Sequence, residues 1–439
     1  MKMLRFTHTL TALLAISLAT FAQDDVAIDE NDAEVREHPV IDGADDEFDM
    51  VVPSFVRSSR NHIIMNGADW SGLRREIART DSVPFSIVHI GDSHLQADYC
   101  TGWIRDNLQF DYGDAGRGLV TPLRMSGTNQ PFDYTISSPA SWSAVKLMNR
   151  NWDRTMGFTG TSVSPASRNS SITVATSEKD DFNPFSSVTI FHKGQFFVTS
   201  VKDSDGRLIP FVATPSQDYT HIVLSKDVTF ANISFDSAGD LTLFGANLSG
   251  DRPGLFYHVI GNNGATYDTY NRIGSVGSGI SALEPDLVII SLGTNEAFGR
   301  VNASSLKASI NRLIENIRKE NPMATILLVT PMECQRSTYT TVSRKSKKRK
   351  GRRRRSSTQK VKSYKTNTAI AQVRNIILDY ARENHIAVYD WYEVAGGEGA
   401  STKWITDGLF SHDRVHHSVK GYQLQGYMLY QALKEELSK

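Results

Sequence analysis

Four short blocks of this 439-residue chain carry side chains that can do chemistry together. Ser93 lies in Gly91-Asp92-Ser93-His94, directly after the apolar run at 85–90. A serine on a strand-to-helix turn projects its hydroxyl from a sheet edge. Its N–H, near a helix start, favours a developing anion. The bland alternative, Ser93 as a helix N-cap, weighs about equally on this block alone. A serine nucleophile needs a base, and Asp413-Arg414-Val415-His416 offers one. Asp and His three residues apart meet within one turn, where the carboxylate fixes the imidazole tautomer. His412 and His417 compete with His416 for that role. Three neighbouring histidines also raise a metal, but the spacing is poor for zinc and no cofactor is expected. Gly264, in Gly261-Asn262-Asn263-Gly264-Ala265, lets backbone approach a ligand, although alone it reads better as a turn. Asn295, in Gly293-Thr294-Asn295-Glu296, can donate to an oxyanion without a charge to desolvate, with helix capping as its alternative.

These residues need a scaffold that brings them to one edge. A helix is expected over 69–80, with Trp70, Leu73 and Ile77 on one face, then a buried strand at 85–90 and a helix over 95–108. Strands at 287–291, 325–330 and 386–390 alternate with helices over 304–320, 366–384 and 421–437. That alternation predicts an α/β fold, a parallel sheet with helices on both faces. Each chemical block then falls at the C-terminal ends of strands or in the last loop, where open parallel sheets place ligands. From 121 to 254 the texture changes to short alternating runs such as SITVATS, SVTIFHK and ANISFDS, which predict an inserted β-sandwich. The α/β domain is thus expected over 56–120 and 255–439.

Taken together, GDSH, Gly264, GTNE and DRVH resemble the first, second, third and fifth blocks of the SGNH (GDSL-type) hydrolases. The resemblance implies a flavodoxin-like three-layer domain and a serine esterase. Ser93 would be the nucleophile, His416 the general base and Asp413 its orienter. The oxyanion hole would be the Ser93 and Gly264 N–H groups plus the Asn295 side chain. Two positions depart from the usual pattern: His94 replaces the commoner Leu, and Glu296 stands where Asp is frequent. HIGDSHLQAD, YGDAGRGLV at 112–120, the β insertion and IGNNGATYDTY at 260–270 further resemble the peptidoglycan O-acetylesterase subgroup. There a carbohydrate-binding-module-like sandwich interrupts the catalytic domain. The implied substrate is an acetylated polysaccharide, foremost peptidoglycan. Xylan-type glycans, acyl transfer to a sugar, or an inactive glycan-binding scaffold are the alternatives.

Composition narrows the rest. Hydrophobic residues make up 40% and charged residues 22%, as in globular proteins. Lys+Arg and Asp+Glu both number 48, but the balance hides two blocks. Residues 344–355, RKSKKRKGRRRR, hold ten bases and no acid, while residues 24–49 hold twelve acids and one base. Without both blocks the chain has 37 bases and 36 acids, so a generally basic nucleic-acid-binding surface is not expected. Residues 1–22 read as a secretory signal peptide, with Lys2 and Arg5 before a short apolar core. Residues 23–55 read as an acidic linker. Export to the periplasm or beyond is expected, with no membrane span. An oxidising compartment would permit a Cys100–Cys334 disulfide. Trp142 and Trp152 are candidates for stacking on sugar rings, with packing an equal alternative. The basic loop, 344–360, is expected to be solvated, and its functional reading is electrostatic contact with anionic envelope components.

Overall fold

The structure is a computed structural model that describes residues 50–176, 183–345 and 356–439. Residues 1–22, where a signal peptide is expected, most of the expected acidic linker and the centre of the basic run lie outside the described residues. Five parallel strands form the central sheet: Phe85–Gly91, Leu255–Gly261, Leu287–Ser291, Thr325–Val329 and Ala387–Tyr389. Numbered along the chain, they lie in the order 2-1-3-4-5, the flavodoxin-like arrangement. A two-residue strand, Ile63–Ile64, adds antiparallel to the Ala387–Tyr389 edge. The inner strands are continuous apolar runs because helices cover both faces; Phe85–Gly91 is buried at every position. Tyr99–Tyr112 and Val419–Leu437 pack together, while Ala303–Glu320 packs against Val276–Ser281 and Ala369–Glu383. The α/β layering read from the sequence is therefore present.

After two helices, Ser93–Gln96 and Tyr99–Tyr112, a β-sandwich is inserted into the crossover between the first and second strands. A seven-stranded and a four-stranded antiparallel sheet share one core, in which Val163, Val188, Ile190 and Leu243 meet Ile172, Val174, Ile233 and Phe235. The chain enters this unit earlier than expected, since Gly118–Val120 already pairs with Thr242–Ser249.

Three other expectations change, and the open question of a disulfide is answered. The helix expected over 95–108 is two helices, Ser93–Gln96 and Tyr99–Tyr112, broken at Asp98 with φ of 63°. Burial of the Asp98 carboxylate against Arg105 and Arg117 accounts for the break. The expected helix start at Thr366 is instead the end of a strand, and the helix runs Ala369–Glu383. Flanking the basic run, Gln335–Lys345 and Ser356–Thr366 pair in register as a β-hairpin, where a loop over 344–360 was expected. Alternating Thr, Tyr, Val and Ser residues carry that hairpin, and the neighbouring charge obscures them. Cys100 and Cys334 are both buried free thiols, so the permitted disulfide is absent.

Candidate active site

The first strand ends at Gly91 against Gly261 and Ser291 of its two neighbours, at the point where strand order reverses. A side chain at Gly91 would lie 2.8 Å from the Ser291 carbonyl oxygen, so this crossing of three strands requires glycine. Asp92 follows and caps the short helix, its Oδ1 accepting from the His94 N–H at 2.9 Å. The cap is therefore Asp92, and the Ser93 hydroxyl is left for another partner.

That partner is His416, whose Nε2 lies 2.7 Å from Ser93 Oγ. His416 Nδ1 lies 2.5 Å from Asp413 Oδ2. Asp413 Oδ1 also accepts from the Val415 and His416 N–H groups and from Ser411 Oγ, at 2.9, 3.0 and 2.7 Å. The tight loop that allows this needs Arg414 at φ of 62°. Burial alone would raise the Asp413 carboxyl. The hydrogen bond and charge of His416, with the two N–H donors, instead hold it far below the usual carboxylate range. Of the competing histidines, His417 is buried and packs on Trp404, Phe410 and Tyr422. Burial pushes it well below the usual histidine value. His412 meets the hairpin, its carbonyl accepting from Tyr364 at 3.2 Å.

Gly264 occupies the turn after the second strand, at φ of 77°. Among the described residues, no acceptor in the chain takes the Ser93 or Gly264 N–H. Asn295 reaches the same corner, but its Nδ2 already donates to Asp92 Oδ2 at 3.1 Å and to the Ala265 carbonyl at 3.0 Å. To hold an oxyanion, it must exchange one of these bonds when substrate binds, and such tightening on binding is common.

Several contributors are not evident from the four blocks. Gln96 accepts from the Asn263 N–H at 2.8 Å and donates to Thr128 and Asn129, so the sandwich entry braces the Gly264 turn. Glu296 accepts from the Tyr267 N–H at 2.8 Å, while its other oxygen is buried without a partner. Burial raises its carboxyl to about 7. Behind the His416 loop, a cavity of about 30 Å³, roughly one water in size, is lined by His94, Cys334, Phe410 and His417. No group of residues able to hold a metal ion occurs among the described residues. Trp142 packs on Phe235, and the Arg272 guanidinium lies 4.2 Å over the Trp152 ring, so packing within the chain occupies both rings.

Residues 235–424 match the GDSL-like lipase/acylhydrolase family model. A solved structure described as "Peptidoglycan O-acetylesterase in action" superposes with a TM-score of 0.65 at 20% identity, over 85% of this chain and 99% of that one. Over residues 235–424 the α/β part of this chain is similar to the GDSL-like lipase/acylhydrolase family, and its fold is that of the solved O-acetylesterase. The matched family region begins beyond Ser93, because the sandwich separates the first block from the others; the fold brings them back together. Two further similar structures are a lipase/acylhydrolase from Enterococcus faecalis and the acetyl xylan esterase AlAXEase. The first is 20% identical over 42% of this chain and 77% of that one, with a TM-score of 0.28. The second is 16% identical over 41% and 81%, with a TM-score of 0.29. No curated protein matches the chain.

Proposed function

We propose that the protein is an exported serine esterase that removes O-acetyl groups from an envelope carbohydrate, foremost peptidoglycan. The observation that carries this reading is the continuous Ser93–His416–Asp413 chain, at 2.7 and 2.5 Å, on the switch-point edge of the sheet. His416 takes the Ser93 proton as Oγ attacks the acetyl carbonyl, and Asp413 holds the imidazole and stabilises its cation. The tetrahedral oxyanion is met by the Ser93 and Gly264 N–H groups and by Asn295 once it exchanges a partner. The sugar hydroxyl leaves with the proton from His416. Water, deprotonated by His416, then releases acetate from Ser93.

Peptidoglycan is favoured because the likeness to the solved peptidoglycan O-acetylesterase spans 85% of the chain. The export reading rests on residues 1–22. For a partner, the hairpin is the informative element. Residues 335–366 hold fourteen bases and no acid. The base of the hairpin is fastened to the His416 loop. Gln335 N–H donates to the Arg414 carbonyl at 2.9 Å, and the Arg414 guanidinium lies 4.2 Å over the Tyr364 ring. Contact of this arm with anionic envelope polymers would bring them beside Ser93.

Acetate release from O-acetylated peptidoglycan, measured beside acetylated xylan with Ser93→Ala as control, tests the proposal. Serine-dependent release preferring peptidoglycan is expected. Release from xylan alone would move the enzyme to exogenous glycans, and full activity in Ser93→Ala would overturn the mechanism.

A further inference from the structure

We infer that His94 is a resident imidazolium that positions the catalytic base, clamping the His416 loop to the Ser93 turn. The inference rests on the Ser93–His416 reading above, but its decisive readout is a protonation state, independent of turnover. Its basis is what faces each ring nitrogen. His94 Nδ1 lies 2.8 Å from Asp92 Oδ1, and Nε2 lies 3.2 Å from the Val415 carbonyl oxygen. A carbonyl oxygen can only accept, so Nε2 carries a proton. Asp92 likewise acts as an acceptor at both oxygens. Its Oδ1 takes the His94 N–H, and its Oδ2 takes Asn295 Nδ2. The amide orientation of Asn295 is itself fixed, because Nδ2 also meets the Ala265 carbonyl, another pure acceptor. An ionised Asp92 satisfies both of these donors, and Nδ1 then donates to it. With that partner on one side and the Val415 carbonyl on the other, both ring nitrogens carry a proton.

The charge balance agrees. Asp92 is 2% exposed, and its ion-pair partner among the described residues is His94. A buried carboxylate without a cation is costly, and an imidazolium beside it removes that cost. The other groups facing His94 are Asp413, His416 and His417 from the catalytic loop and Tyr422 from the last helix. His417 is held neutral by burial, so it adds no competing cation. Burial opposes the charge on His94, but Asp92, the Val415 carbonyl and Asp413 outweigh it and raise the ring above the usual histidine value.

Placement gives the ion pair a function. Asp92 directly precedes Ser93, and Val415 directly precedes His416. One ring thus spans the two backbones whose separation sets the Ser93–His416 contact. The leucine more usual in this family at position 94 cannot make either bond. Because the folded-state pKa is raised, the clamp is complete below the ordinary histidine value. It is lost as pH rises through the raised value. The enzyme should therefore lose kcat on the alkaline side.

Histidine-ring ¹⁵N NMR on the intact protein should find both His94 nitrogens protonated at pH 7. A neutral His94 at pH 7 would overturn the inference. For kinetics with a small acetyl ester, His94→Leu should lower kcat on the order of 10²-fold with KM little changed, the cost of a slight misplacement. His94→Gln, which can donate one bond without charge, should recover part of kcat and show no alkaline fall. An alkaline limb unchanged in His94→Gln would assign that limb elsewhere and overturn the clamp. Ser93→Ala abolishes turnover and should leave the His94 signals in place. Failure of the esterase reading is thereby distinguished from failure of this one.

Discussion

Asp413 spends both carboxylate oxygens on one loop, and this explains why three residues of separation suffice. Oδ2 orients the imidazole, while Oδ1 collects Ser411 and two backbone N–H groups. Asp413→Asn keeps the volume but can offer Nδ1 a donor where an acceptor is needed, so kcat should fall by about 10³–10⁴ with the fold intact. Steady-state kinetics beside a thermal melt check both halves. Asn295→Ala should cost about 10²–10³ in kcat, the scale of one oxyanion donor. An activity loss below threefold would mean that Asn295 only ties Asp92 to Ala265. Glu296 makes a different prediction. Its carboxyl is raised to about 7 by burial, so the folded state prefers the proton. Stability is then lost as pH climbs from the ordinary glutamate range through about 7. Glu296→Gln should be stabilising at pH 8, on the order of 1 kcal/mol, and near neutral at pH 5; melts at the two pH values decide it. The residue types of Ser93, Asp413 and His416 were readable because each block holds its chemistry locally. The choice among His412, His416 and His417 was not, since only the fold shows that His417 packs on Trp404 and that His416 is the one within reach of Ser93.

Elements were legible where periodicity was uninterrupted and opaque where a tertiary contact overrode it. The strands at 287–291 and 325–329 and the helix at 303–320 follow directly from apolar runs and a 3.6-residue repeat. The break at Asp98 does not, because its cause is a pair of guanidiniums, one of them nineteen residues away. The hairpin at 335–366 was hidden by its charge. The Gly264 turn belongs to the same class of long-range effect. Its position depends on Gln96, which bridges Asn263 to Thr128 and Asn129 of the sandwich entry. Gln96→Ala should free that turn, lowering kcat on a small ester by about tenfold while the Ser93–His416 pair stays intact. A fluorophosphonate label separates the two effects: labelling of Ser93 should persist in the variant, and its loss would mean the nucleophile turn itself had moved.

At the scale of the molecule, the sandwich is built into the α/β domain. Two guanidiniums and two carboxylates meet at the junction. Arg105 donates to Asp98 at 2.8 Å and to Asp133 at 2.7 Å, and Arg117 reaches the same two residues at 3.2 and 3.3 Å. Asp98 and Arg105 belong to the helix region of the α/β domain, whereas Arg117 and Asp133 lie just before the strands Gly118–Val120 and Tyr134–Ser137. The group is electrically neutral as a set, which is what permits Arg105, Arg117 and Asp98 each to be 1% exposed. Removing one member leaves buried charge uncompensated, at a cost of about 3–5 kcal/mol. Arg117→Ala should therefore do more than lower the melting temperature. With the shared cluster unbalanced, the sandwich and the α/β domain should lose their common transition, and calorimetry should resolve two endotherms where the parent protein gives one. The double variant Arg117→Ala, Asp133→Ala restores neutrality and should recover part of the loss. If it is no more stable than Arg117→Ala alone, packing of the long side chains, and not charge balance, is what holds the two units together.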